Sequence, residues 1–520
     1  MKSYKIYFLM LVLAISIAGC TKDFENINTT PVKVTDVGPR EFGFMFSRAQ
    51  SAATIHRPYY QTISILMPDL YAQYYALTTT SFTTDRYAFN DTWLSRPGII
   101  TYVLVMPQLQ AILNNTEATS PEHALANIMK AYTFHRYTDQ FGPVPYFGAG
   151  STESSIPYDA QEVIYDDLFK VLDSAVTNLK ATDRTNVFGN QDLIFGGDVA
   201  KWISFANTLR LRMALRISLV DPIRAKSEAE AAVLAGPMTT NAQNATIERS
   251  LNGDDANGIS SNAAGNEFSM SSTMASYLKG YNDPRLGIYF QPAVATGVFK
   301  GLRNGSSATD INKPGNRPAQ TSNLGTRWAT INAAKTAWVP NLALRQEVMA
   351  AAEAYFLRAE GALNGWEMGS GSAQQFYEQG IRLSLEQWGV TDATVIQNYI
   401  NSNAVPVAPG DEVGSPAVTT SVPVAWSTTE AIQRAQIGTQ KWLAVFPDGI
   451  EAWSEFRRTG YPAMYPLLQS DNADLPVGTF IKRLPYASLD AATNGAALSK
   501  GIELLGGPNT AATRVWWDVN

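Results

Sequence analysis

Three long segments of the chain place apolar residues at alternating intervals of three and four, which is the spacing of one face of an amphipathic helix. They run from Val163 to Leu179, from Lys201 to Val220 and from Gln346 to Leu363. In the second segment Arg210, Arg212 and Arg216 fall outside the apolar stripe, so we expect them to lie off the buried face. The periodicity predicts a mainly α-helical fold.

The predicted helices follow one another in pairs. The pairs cover 124–138 with 161–180, 199–219 with 222–235, 346–364 with 372–388, and 428–445 with 448–458. Small residues between Ala354 and Ala362 favour a close approach of two helices, as in tetratricopeptide repeats. The pairs do not recur at a fixed period, because long insertions separate them. We therefore predict an all-α fold, a tetratricopeptide-like helical repeat scaffold with long irregular loop insertions.

The insertions differ from the helices in composition. Residues 238–272 and 296–340 are rich in Asn, Ser, Thr and Gly, and they contain turn-forming pairs such as Asn304-Gly305. These segments are predicted to form irregular loops.

The amino terminus has the features of a secretory signal. Lys2 and Lys5 precede an apolar run from Ile6 to Ile17, which reaches only ~18 Å as a helix and is too short for the ~30 Å bilayer core. Cys20 follows Ile17-Ala18-Gly19 and is the only cysteine of the chain. This arrangement resembles the bacterial lipobox, and an ordinary signal peptide with an incidental cysteine is the alternative. We predict a lipoprotein signal peptide at 1–19, acylation of Cys20 and a lipidated tether at 20–40.

Composition excludes several classes of function. The chain carries 40 Lys and Arg against 46 Asp and Glu, which is too acidic a balance for a protein that binds nucleic acid through basic patches. A single cysteine cannot form an internal disulfide or a zinc knuckle. No nucleotide-binding, hydrolase-elbow or zincin motif occurs in the sequence, and His56, His123 and His135 lack metal-ligand spacing. The sequence predicts no catalytic residue, metal site or cofactor.

Two pairs of carboxylates on predicted helices allow two interpretations. Glu353 with Glu360, and Glu451 with Glu455, lie one or two helical turns apart. Such pairs can serve general acid and base catalysis, but they are also common beside arginines. Because Arg358, Arg457 and Arg458 are close in sequence, we interpret these glutamates as members of ion pairs.

Aromatic residues concentrate between 74 and 98. The cluster comprises Tyr74, Tyr75, Phe82, Tyr87, Phe89 and Trp93, and it alternates with Thr, Asn, Asp and Arg. A sugar ring stacks its C–H face on an aromatic ring and directs its hydroxyls to amide, carboxylate and guanidinium groups. Trp93 is the preferred platform, because its polar neighbours break any helical period, whereas Tyr74 is more typical of a core residue.

A second aromatic surface is predicted in the insertion at 238–340. The full set of predicted ligand-binding residues, over both insertions, is Tyr75, Tyr87, Asn90, Asp91, Trp93, Arg96, Arg327, Trp328 and Trp338.

Several segments together resemble one known family. They are Cys20 to Glu25, Thr138 to Tyr146, Trp202 to Arg212, Asn282 to Leu286, Glu353 to Glu360, Gln440 to Phe446, Glu451 to Pro462 and Arg514 to Asp518. In this order and over nearly the whole length, they resemble the SusD/RagB family of nutrient-binding outer-membrane lipoproteins. The lysine and acids after Cys20 also resemble the tether that directs Bacteroidota lipoproteins to the cell surface.

The resemblance implies a single α-helical domain at 41–520 with four tetratricopeptide-like units. It also implies an outer-membrane, lipid-anchored protein that faces outward and covers a SusC-like TonB-dependent transporter with its helical-repeat side. The expected function is capture of an extracellular oligosaccharide for uptake, without catalysis. A peptide-capturing lid of the same kind of transporter and a surface glycoside hydrolase are the alternatives.

Overall fold

Local sequence signals set the ends of the long helices. Ser120 accepts a hydrogen bond from the His123 amide at 3.2 Å, and Pro121 occupies the first helical position, where its missing N–H costs nothing. Asp198 caps the helix Val199–Arg216 by accepting a hydrogen bond from the Lys201 amide at 3.1 Å. The computed structural model described here covers residues 38–151, 153, 155–251 and 253–520. The predicted signal peptide, Cys20 and most of the tether lie outside the described residues.

Residues Phe42–Asn520 form one unit, and helices dominate it. Its four helix pairs are Pro121–Phe141 with Gln161–Ala181, Val199–Arg216 with Pro222–Ala235, Ala351–Leu363 with Ala373–Gln387, and Glu430–Ala444 with Gly449–Thr459. Consecutive helices of each pair pack against each other, and Val199–Arg216 also contacts the first helices of the neighbouring pairs. The predicted all-α, tetratricopeptide-like class is confirmed.

Other helices, most of them short, and turns make up much of the remainder. The helices are Pro39–Ala53, Arg57–Tyr60, Pro68–Tyr71, Asp91–Leu94, Arg96–Gly98, Met106–Asn114, Gly258–Gly265, Ser272–Gly280, Leu286–Tyr289, Ala308–Ile311, Ala393–Ile400 and Ser488–Leu505. Two π-helical turns, Gln61–Ile65 and Ile99–Val105, lie beside the early aromatic segment. No helix in the described part of the chain is both long and apolar enough to cross a membrane.

Among the described residues there are three small antiparallel sheets, of which the first two join distant parts of the chain and the third is a local hairpin. Tyr75–Leu77 pairs with Phe268–Met270, Ala245–Ile247 pairs with Gln346–Met349, and Ala329–Ile331 pairs with Trp338–Pro340. The strand Gln346–Met349 replaces the start of a predicted helix. Its backbone pairs with a strand about a hundred residues earlier, so the helix begins only at Ala351.

The helix Val199–Arg216 runs through the core, and the expectation for its arginines is wrong. Arg212 is 1% exposed and Arg216 is 0% exposed. Their guanidinium groups bind carboxylates of later helices, among them Glu353 and Glu451. The helix is therefore buried on its polar side as well as on its apolar side.

Candidate functional site

Trp93 lies on the short helix Asp91–Leu94, which polar side chains hold in place. The Asn90 side chain caps this helix by accepting from the Trp93 amide at 3.3 Å. The Asp91 carboxylate accepts hydrogen bonds from the hydroxyl and, at 2.8 Å, the amide of Ser488. These hydrogen bonds lower the pKa of Asp91. Asn90 and Asp91 thus position Trp93, and both are exposed.

The Trp93 ring is partly exposed and has an aromatic neighbour. Phe82, also partly exposed, meets it edge to face with the ring centroids 5.7 Å apart. Edge-to-face pairs stabilise the relative orientation of two rings by about 0.5–1.5 kcal/mol beyond the area they bury. The two residues form an oriented aromatic platform at the surface.

Arg96 extends this platform. Its Nη1 donates to the Thr62 hydroxyl at 3.0 Å, and its guanidinium lies 5.9 Å from the centroid of the Tyr59 ring. Both short helices that carry Trp93 and Arg96 pack on the turn Gln61–Ile65. Arg96 is therefore a fixed, partly exposed cation on the helix that adjoins the helix of Trp93.

A hydrogen-bonded amide and carboxylate involve the same turn, Gln61–Ile65. Gln61 Nε2 donates to Glu267 Oε2 at 2.6 Å, and both side chains are partly exposed. Burial raises the pKa of Glu267, and the Gln61 hydrogen bond partly offsets that effect. We call Tyr59, Gln61, Phe82, Trp93, Arg96 and Glu267 the Trp93 surface.

Two predicted ligand residues of the early segment are core residues instead. Tyr75 is 1% exposed, since its strand is paired and its ring packs 4.7 Å from that of Phe268. Tyr87 is 3% exposed and packs edge to face against Tyr71 at 5.8 Å. Neither ring offers a face to a ligand in this structure, so the assignment of both residues to ligand binding is corrected. Tyr74, interpreted as a core residue, is buried.

The second predicted aromatic surface also differs from the prediction, because one of its two tryptophans is buried. Trp328 is fully buried, 5.8 Å from Trp388 and 5.9 Å from Phe446 between ring centroids, which contradicts its expected role as a ligand platform. Arg327 stacks 4.7 Å from the Trp388 centroid and pairs with Glu347 at 2.6 Å, so its charge already has a partner. Trp338 remains partly exposed on the hairpin of Ala329–Ile331 and Trp338–Pro340.

Sequence reasoning did not select four members of the Trp93 surface. Phe82 belongs to the aromatic cluster but not to the predicted ligand residues, and the predicted set also lacks Tyr59, Gln61 and Glu267. Tyr59 and Gln61 precede Trp93 by about thirty residues, and Glu267 follows it from another loop. The adjacent rings of Tyr59 and Tyr60 before a polar residue are a local sequence signal for Tyr59 and Gln61, whereas no local signal indicates Glu267.

The carboxylate pairs form ion pairs, as interpreted, although their partners partly differ. Glu360 and Glu455 bind Arg458 at 2.6 and 2.8 Å. Arg358 instead donates to the Met368 carbonyl, and Arg457 lies over the Trp453 ring. Among the described residues no cluster of His, Cys, Asp and Glu could hold a metal ion.

The family model for SusD-like proteins, described as Susd and RagB outer membrane lipoproteins, matches residues 26–518. The chain belongs to this family. The described helix pairs are those of SusD-like structures, which are helical folds of the tetratricopeptide type. No match was found among curated protein sequences.

Solved structures of SusD homologues superpose on nearly the whole chain. A chitin-binding SusD homologue from Flavobacterium johnsoniae is 34% identical with a TM-score of 0.82, covering 93% of this chain and 98% of its own. A SusD-like protein from Bacteroides thetaiotaomicron is 31% identical with a TM-score of 0.80, over 91% and 99%. A protein described as chitin-binding is 27% identical with a TM-score of 0.75, over 93% and 100%.

Proposed function

We propose that this SusD-like protein binds an extracellular oligosaccharide on the Trp93 surface and delivers it to a SusC-like TonB-dependent transporter. The observation that carries the proposal is the partly exposed pair of Trp93 and Phe82, with the fixed guanidinium of Arg96 on the adjoining short helix. Aromatic faces bind the C–H faces of pyranose rings, while Arg96, Gln61 and Glu267 supply donors and acceptors for hydroxyls. Trp338 is proposed as a secondary contact.

Oligomers of N-acetylglucosamine are the first ligand class to test. Two of the similar structures are described as chitin-binding proteins. An acetamido group carries an amide N–H, which a carboxylate such as Glu267 can accept, and a carbonyl, to which Arg96 can donate. The Trp93 surface therefore has polar groups matched to both ends of that amide.

The remaining parts of the proposal concern the cell surface. We propose that acylated Cys20 anchors the protein in the outer membrane, that the body faces outward and that the helix pairs contact the transporter. The family description as outer membrane lipoproteins supports the anchor. We propose binding without catalysis, because the acidic pairs Glu353 with Glu360 and Glu451 with Glu455 are used in ion pairs.

Isothermal titration tests which class of ligand binds. The purified protein, without its signal peptide and lipid anchor, is titrated with the hexamer of N-acetylglucosamine, with maltohexaose and with a peptide panel. We expect measurable binding of the first and weaker or no binding of the others. Binding of peptides alone would favour a peptide-capturing lid, and no binding of any glycan would contradict the proposal.

Two further experiments test the transporter and the absence of catalysis. Co-purification of a SusC-like TonB-dependent transporter with this protein from the native outer membrane is expected, and its failure would contradict the transporter partnership. Incubation with a polysaccharide panel should release no reducing ends. Release of reducing ends by the wild-type protein that is lost in the Glu267→Gln variant would instead establish a hydrolase.

A further inference from the structure

A pocket lies between the turn Ile99–Val105 and the helix Ser488–Leu505. It has a volume of about 340 Å³, within the range of small-molecule sites. Tyr102 of the turn Ile99–Val105, Tyr137 of Pro121–Phe141 and Tyr158 line it, together with Asp490 and Asn494 of the helix Ser488–Leu505. None of these five residues belongs to the Trp93 surface.

The aromatic walls of the pocket are fixed by contacts behind them. The Tyr102 ring meets that of Tyr137 edge to face at 5.5 Å, and its hydroxyl donates to the Pro145 carbonyl at 2.7 Å. Tyr158 packs edge to face on Tyr486 at 5.4 Å. Residue 501 is glycine, and a Cβ there would lie 2.6 Å from the Tyr158 ring. The rings are therefore held in place before any ligand arrives.

Polar contacts hold the rim of the pocket. Tyr158 is 8% exposed and lines the pocket. Asn494 interrupts the helix with φ −144° and ψ 37°. Its side chain accepts a hydrogen bond of 3.1 Å from the Ile156 amide and donates one of 2.7 Å to the Ile156 carbonyl, so it fixes Ile156. The rim of the pocket is therefore fixed where Asn494 meets Ile156.

The charge of the pocket is one-sided. Asp490 Oδ2 accepts from the Ala487 amide at 3.1 Å, and no described residue that lines the pocket is a lysine or an arginine. Burial raises the pKa of Asp490, and the charge of Asp91 adds to this effect. Arg483 lies behind the wall, over the Tyr486 ring, and donates to the Phe141 carbonyl and to Asn509.

We propose that this pocket, which we call the Asp490 pocket, binds the protonated amine of a small organic ligand. The carboxylate of Asp490 and the electron-rich faces of Tyr102, Tyr137 and Tyr158 attract an organic cation, since each ring carries a negative face. The amine can belong to an amino sugar or to a free alkylammonium compound. The proposal does not depend on oligosaccharide binding at the Trp93 surface.

Saturation-transfer NMR titrations of the purified body with glucosamine, N-acetylglucosamine and choline test the proposal. Glucosamine lacks the acetyl group of N-acetylglucosamine and carries an ammonium charge instead, so we expect glucosamine to bind at least tenfold more tightly. Asp490→Asn keeps the size of the side chain and should weaken cation binding at least tenfold. Asp183→Asn, at an exposed carboxylate elsewhere, should leave binding unchanged.

A second pair of variants tests the aromatic wall without removing the carboxylate. Tyr102→Phe keeps the ring and should retain glucosamine binding, whereas Tyr102→Leu should weaken it. Thermal unfolding of each variant shows that it is folded. Choline binding would identify a general ammonium site, and binding of glucosamine alone would identify an amino-sugar site. Equal binding of both sugars, binding unaffected by Asp490→Asn, or no binding of any of the three compounds would overturn the proposal.

Discussion

The guanidinium of Arg212 donates two hydrogen bonds to the carboxylate of Glu353, at 2.8 and 2.6 Å, and each side chain is 1% exposed. The two residues lie 141 positions apart and belong to different helix pairs. Their contact therefore fixes the relative positions of Val199–Arg216 and Ala351–Leu363 deep in the core.

This pair belongs to a larger buried network. Lys441 Nζ lies 2.9 Å from Glu451 and 3.1 Å from Glu455, and Arg216 lies 2.5 Å from each of these carboxylates. Burial alone would raise the pKa of Glu451, but Arg212, Arg216 and Lys441 lower it to about 2. The opposite charges thus keep one another ionised inside the protein.

Loss of one charge from this network should destabilise the fold strongly. Glu353→Gln leaves Arg212 and Lys441 with less negative charge in a medium that solvates ions poorly, and such losses typically cost about 3–5 kcal/mol. Urea denaturation measures the effect. The matched control is Glu248→Gln at the exposed pair of Glu248 and Arg345, for which we expect a change below about 1 kcal/mol. Equal effects of the two substitutions would contradict the structural role of the buried pair.

The network also shows where sequence reasoning succeeded and where it could not. Periodicity predicted the helices because each helix carries its own apolar stripe. Periodicity placed Arg212 and Arg216 off the buried face, because it carries no information about partners far along the chain. The carboxylates that bury these arginines come from later helices. The polar neighbours of Trp93 correctly indicated a surface position. Tyr75 and Trp328 were misassigned, since what buries their rings, Phe268 and Phe446, is brought there only by tertiary packing.

Stability should fall on acidification in part because of His56. Burial first, and then the charges of Arg48 and Arg249, lower its pKa from 6.5 to about 4. The unfolded chain therefore binds this proton near pH 6.5 and the folded chain only near pH 4, so His56 lowers the free energy of unfolding progressively between these values. Unfolding of wild type and His56→Gln, measured from pH 7.5 to 4.5, should show a difference that shifts in favour of the variant as pH falls. A difference that is independent of pH would contradict the assignment.

Trp328 should act on stability and not on ligand capture. Its ring is fully buried, and truncation of such a tryptophan to alanine typically costs about 3–5 kcal/mol. Trp328→Ala should therefore lower the unfolding free energy by that order, whereas Trp338→Ala, at a partly exposed ring, should lower it much less. Denaturation curves measure both. A stable Trp328→Ala protein with lost glycan binding would restore the original ligand assignment.

Trp93 should act on ligand capture and hardly on stability. An aromatic contact contributes on the order of 1 kcal/mol, so Trp93→Ala should weaken oligosaccharide binding about fivefold while thermal unfolding stays nearly unchanged. Trp366→Ala is the matched control, because that ring is also partly exposed but lies after the helix Ala351–Leu363. A large loss of stability in Trp93→Ala would identify the ring as a core residue, and equal binding by both variants would remove Trp93 from the site.

Cys20 should decide whether the protein remains with the membrane. Each acyl methylene buried in a bilayer contributes about 0.8 kcal/mol, so several chains on one residue hold a protein firmly. Cys20→Ala should abolish incorporation of radiolabelled palmitate and release the protein from the membrane fraction. Protease added to intact cells should digest the wild-type protein if the body faces outward. Palmitate incorporation that survives Cys20→Ala would contradict the anchor, because no other cysteine exists in the sequence to accept the acyl group.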